Sequence, residues 1–167
     1  MRNLFSKLEK SKEKSTKGQG LVEFALAFPI MLMVLIGIFE AGRLLLVYST
    51  SVSASRAAAR FGTTIGTGDS GIPHYLDCAG MRQRAIDIGV LSGLETTDIT
   101  ITYLIPDEVF PALCGTVTKE DLVFGSRIQV VAVGHFQPIS YFSNIFPNFN
   151  IVSESRRTIL KGVQFGD

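Results

Sequence analysis

The sequence predicts an α+β protein: a long N-terminal membrane-spanning helix followed by a small domain with an antiparallel sheet of three or four strands packed on helices. Three observations predict it. Phe24 to Phe39 is a run of sixteen residues without a charge. The positive charge is concentrated before that run. Three segments of strand-like apolar patterning follow residue 98.

The chain has 167 residues, room for one membrane element and one small domain. Residues 1–18 hold Arg2, Lys7, Lys10, Lys12, Lys14 and Lys17 against Glu9 and Glu13, so 6 − 2 = +4, while the whole chain is +1 and the remainder is therefore −3. No basic domain remains, so nucleic acid is not an expected partner. The positive-inside rule keeps the leader in the cytoplasm and sends the C-terminal part across the membrane.

The apolar run opens at Leu21-Val22-Glu23-Phe24 and resumes at Leu44-Leu45-Leu46-Val47 after Glu40 and Arg43. From Leu21 to Val47 the helix would span roughly 40 Å, enough for a bilayer. A membrane helix over about 21–47 is the expectation, with a soluble core helix as the alternative. Glu40 and Arg43 are three apart and are expected to form an intramembrane ion pair. Pro29 removes one backbone donor. A Sec-type cleavable signal does not fit, because the glycine stands before the apolar run and not after it. Beyond the span, Ser51 to Arg60 is rich in small residues, with Ala54, Ala57 and Ala58 permitting close helix approach or merely favouring helix.

The remaining elements follow in order. Gly62, Gly66, Gly68, Gly71 and Pro73 end the long helix in a loop. A short helix is expected over 76–91, with Met81, Ala85, Ile88 and Ile86 inward. Strands are expected at Ile99–Leu104, Ile128–Val133 and Ile151–Leu160. Cys78 and Cys114 are the only cysteines, 36 positions apart. They form either one disulfide in an oxidising compartment or two buried thiols. With two distant histidines they make no zinc pattern. Phe136 to Phe149 is dense in aromatics, either an exposed partner surface or a cap on a small core.

Catalytic motifs fail on context. Gly66-Thr67-Gly68-Asp69-Ser70-Gly71 matches a dinucleotide fingerprint by letters but follows a helix and opens no βαβ unit. No histidine precedes Ser70, as a chymotrypsin-like triad would need. His74 and His135 read as structural or solvated, and the acids form no evident pair. The expectation is a non-enzyme with no cofactor, no metal and no small-molecule substrate.

The stretch Lys17-Gly18-Gln19-Gly20-Leu21-Val22-Glu23-Phe24 resembles a type IV prepilin signal. In that family a peptidase cuts after a glycine on the cytoplasmic side, the fifth mature residue is glutamate and the sixth is usually aromatic. A cut between Gly18 and Gln19 would make Glu23 fifth and Phe24 sixth; a cut after Gly20 would make Glu23 third. The wider stretch, through Phe39-Glu40-Ala41-Gly42-Arg43 and on to Arg60, is similar to the TadE-like family, minor pilins or pseudopilins of tight-adherence (Tad) pili. The resemblance is strong over 18–62 and looser beyond. It implies residues 1–18 as a cleaved leader, 19–62 as one helix and 63–167 as a periplasmic or extracellular domain. It implies a single-pass protein of the bacterial inner membrane, carried into the pilus on assembly. It also implies prepilin peptidase, other pilin-like subunits, inner-membrane assembly proteins and lipid as partners, in a structure used for surface adhesion. Glu23 would then meet the new terminal amine of Gln19, on its own or a neighbouring chain. Without a filament, Glu23 is an interfacial charge beside a helix N-terminus, and the chain is a membrane-anchored periplasmic binding or sensor module.

Overall fold

A computed structural model describes residues 2–68, 71–106, 108–138 and 148–160, with side chains from residue 18 onward. Helix α1 runs from Arg2–Gly62, and the chain divides into two compact units, Met1–Gly42 and Arg43–Asp167. The helix continues through Pro29 and through Gly18, Gly20, Gly37 and Gly42, each of which disfavours helix locally.

The second unit contains the rest of the fold. Helix α2 spans Cys78–Ile88, and the strands are β1 Ile99–Leu104, β2 Ala112–Leu113, β3 Arg127–Phe136 and β4 Phe149–Thr158. They form a four-stranded sheet in the order β2-β1-β3-β4, antiparallel at every step. The α+β class holds. The two-residue β2 escapes sequence reading because it is too short to show alternation. β3 extends past the expected 128–133 at both ends, while β4 starts and stops two residues before the expected 151–160, pairing from Arg127↔Thr158 to Phe136↔Phe149.

Alternation decides which face is covered. Ile99, Ile101 and Tyr103 of β1 and Ile128, Val130, Ala132 and Phe136 of β3 are buried on one face. The C-terminal part of α1 lies on that face. Its buried stripe, Val47, Ser51, Ala54, Ser55, Ala58 and Ala59, recurs at helical spacing. Small residues let the backbones approach: a Cβ on Gly134 of β3 would overlap Ser51 Oγ, and one on Gly62 would sit 2.7 Å from Ile128 Cδ1. The hydroxyls do not go unsatisfied. Ser51 Oγ donates to the Val47 carbonyl at 2.8 Å, and Ser55 and Ser153 of β4 share a buried hydrogen bond of 2.9 Å. Helix and sheet are thus tied by a polar contact within an apolar seam.

Helix α2 starts at an Asp77 cap, whose Oδ1 accepts from Gly80 N–H at 2.8 Å. Met81 and Ala85 are buried as expected, but the helix stops at Ile88: Gly89 N–H makes the last α-helical bond, to Ala85 O, and a 3₁₀ turn, Val90–Ser92, follows. Ile88, expected inward, is 45% exposed; Leu94 is buried instead and packs against Gly89. The glycine-rich loop is ordered around Gly66 and Gly71, both at positive φ, with Gly68 N–H bonded to Ile72 O at 2.9 Å. Asp69 and Ser70 lie outside the described residues.

Candidate functional site

The head of the apolar helix is built from residues 18–28. Gly18 and Gly20 have open space where a Cβ would be. Gln19 and Glu23, one helical turn apart, share a face, and Gln19 Nε2 donates to Glu23 Oε1 at 3.3 Å. Phe24 stacks on Phe28 with ring centroids 5.6 Å apart. Leu21, Phe24, Leu26 and Ile30 are each more than three-fifths exposed. Such a contiguous apolar surface needs a cover. Gly18–Gly62 contains a stretch long and apolar enough to cross a membrane, with none of that stretch buried inside the protein.

Arg43 opens the second unit. Its Nη1 and Nη2 donate to the Gln137 carbonyl at 3.4 and 3.3 Å, and the guanidinium lies 5.5 Å from the Phe136 ring centroid. Phe136 is buried and stacks on Phe149, its cross-strand partner, at 5.1 Å. The two ends of the aromatic stretch therefore pack on each other. Ile139 to Pro147 lie outside the described residues. Sequence spacing pointed Arg43 only at Glu40; a contact 94 residues away had no local signal.

Cys78 and Cys114 form a disulfide joining the start of α2 to the end of β2. Cys114 N–H also bonds Ile101 O at 3.0 Å, fixing β2 against β1. Buried Tyr103 donates its hydroxyl to Tyr75 O beside the bridge, and burial pushes its pKa up to about 12. His74 stacks edge-on against Phe61 at 4.5 Å.

A polar cluster that sequence reading missed sits on the open face of the sheet. His135 Nε2 lies 2.9 Å from Asp98 Oδ1, and Nδ1 lies 3.0 Å from Asn150 Oδ1. With Asn150 placed this way, the imidazolium donates to both. The Asp98 bond, then the Asn150 bond, raise the His135 pKa above its ordinary 6.5. Burial pushes the Asp98 carboxyl up, but its bonds from His135 and from Glu95 N–H outweigh this, and it lies below the ordinary 3.8. The histidine's contribution is fully present below pH 6.5 and fades as pH rises through its raised value. The aspartate's is fully present above pH 3.8 and fades as pH falls through its lowered value. Between those limits the cluster holds the start of β1 to the β3–β4 hairpin. By NMR, the His135 ring should titrate above 6.5. His135→Gln should flatten any loss of thermal stability between about pH 6 and 8, by a small amount because the pair is partly exposed.

One comparison with known proteins decides the relationship of the helix. The family model described as "TadE-like protein" matches residues 18–60. That match opens on Gly18 and takes in Gln19, Glu23, Phe24, Glu40, Arg43 and the small-residue stripe, about a quarter of the chain. No curated protein and no solved structure matches. The TadE-like similarity thus covers the helix, and the sheet domain rests on its own geometry.

Proposed function

We propose that this chain is a minor pilin or pseudopilin, a structural component of a Tad pilus that serves surface adhesion. The observation that carries the reading is the TadE-like match over 18–60, on a helix whose apolar surface is bare and whose head places Gln19 and Glu23 on one face. In this reading prepilin peptidase cuts between Gly18 and Gln19 on the cytoplasmic side. The new amine at Gln19 neutralises Glu23, which otherwise is a carboxylate at the edge of lipid. The span anchors the subunit in the inner membrane until other pilin-like subunits and assembly proteins take it up. Glu40 and Arg43 pair near the outer end of the span, and the domain after it is periplasmic, where Cys78 and Cys114 oxidise. The role is structural rather than catalytic.

The test is the mass and N-terminus of protein extracted from membranes of cells with active prepilin peptidase. The expected mature chain begins at Gln19. A chain that still begins at Met1 overturns the reading and returns the protein to an anchored periplasmic module.

A further inference from the structure

Two surfaces of the sheet domain are complementary to each other but not to themselves. The first is formed by the chain between β1 and β3. Val109, Phe110 and Phe124 are 88%, 80% and 90% exposed, large apolar side chains facing water. The first loop leaves β1 after Leu104, and the second enters β3 at Arg127, which pairs with Leu104, so the two meet at that end of the sheet. A Cβ on Gly125 would lie 3.6 Å from Pro106 Cγ, so the loops are adjacent. The described residues of 105–126 carry Glu108, Glu120 and Asp121 against Lys119, 1 − 3 = −2. Asp121 is used locally, accepting from Thr118 N–H at 2.8 Å and from its hydroxyl at 2.7 Å. Glu108 and Glu120 remain exposed at the rim.

The second surface is the outward face of α1. Arg56 and Arg60 are exposed, one turn apart and opposite the buried stripe, and residues 44–62 contain no acid, so that segment is +2. Ile65, just beyond the helix, is 61% exposed. The first surface borders β2, while α1 is bonded through Ser55 to Ser153 on β4, the opposite edge of the sheet.

We infer that the acidic, aromatic loops of one copy dock on the Arg56–Arg60 face of α1 in a second copy. Charge sign is complementary across the contact. The acidic rim disfavours an anionic lipid surface as the occupant. Because the two patches differ, the contact pairs unlike surfaces: each copy offers one patch and receives on the other. This deepens the pilus reading by naming a contact between subunits, and it rests on that reading only for its biological setting.

The experiment uses the full chain in membranes, with a photo-cross-linking phenylalanine analogue at position 124, where the side chain is 90% exposed. The expected product is a dimer whose cross-linked peptide contains residues 53–60 of the second copy. Arg56→Glu with Arg60→Glu should lower its yield about fivefold, and adding Glu108→Lys with Glu120→Lys should restore it. An intact disulfide in each variant shows that the domain is folded. Products formed only with lipid, only with another protein or only with other regions of this chain overturn the inference, as does a yield unmoved by charge reversal. A chain cut after Gly18 and required for piliation, yet giving no such dimer, overturns the contact and leaves the pilus reading standing. An uncut chain that gives the dimer does the reverse.

Discussion

Glu23→Ala should leave the protein in the membrane and leave the cell without pili, or without co-purifying pilin partners. The two outcomes separate because they draw on different physics. Insertion depends on the apolar run, and removing a carboxylate from its head favours insertion if anything. Assembly as proposed would move the same residue out of the lipid interface and among other helices. There an ionised carboxylate must find a cation or take up a proton. Breaking a buried charge pair costs about 3 kcal/mol or more, and about 3 kcal/mol is already a hundredfold in association. Gln19 and Glu23 already share a helix face, so the freed amine would arise one turn from the acid. Glu23→Gln keeps the shape and hydrogen bonding but not the charge, and should fail nearly as badly. Normal piliation by Glu23→Ala, counted by electron microscopy, would reduce Glu23 to an interfacial charge.

The helices and long strands were legible in the sequence because their signals are local. The charge-free run from Phe24, the alternation at Ile99–Leu104 and the glycines after Gly62 each state their structure within a few residues. What failed was governed by position in the sheet. β2 is strand only because Tyr103 pairs with Ala112 and Cys114 N–H reaches Ile101 O. Ile88 was expected inward by helical spacing, but Gly89 ends the helix and Leu94 takes the space. The stripe from Val47 to Ala59 explains why the apolar helix turns serine- and alanine-rich: there it faces β3 and β4. Gly18, Gln19, Glu23 and Phe24 were singled out through their resemblance to a prepilin-type signal, which, being linear, needs no tertiary structure to be noticed. The His135 cluster could not be noticed in this way, because Asp98, His135 and Asn150 come from three separate segments joined only by strand register.

Replacing Cys78 and Cys114 together by Ala should destabilise the sheet domain without affecting insertion. The bridge closes a loop between positions 36 apart, which the chain-entropy account values at roughly 3 to 4 kcal/mol. For a domain of this size that is a fall in Tm on the order of 10–20 °C. The loss should be felt first at the β2 edge. β2 has only two paired residues, so without the bridge that edge is held by the Cys114 N–H bond and by buried Ile105 and Leu122. Tyr103, buried beneath, keeps Tyr75 O as its acceptor and limits the damage. The same cysteines report topology. A leader of net +4 should hold the N-terminus inside, placing both sulfurs in the compartment where thiols oxidise. Thiol labelling of unfolded protein from spheroplasts should therefore require reductant. Free labelling without reductant would remove the disulfide, and labelling that also needs a permeabilised inner membrane would reverse the orientation. In the second case a leader on the cytoplasmic side, and with it cleavage at Gly18, would no longer stand.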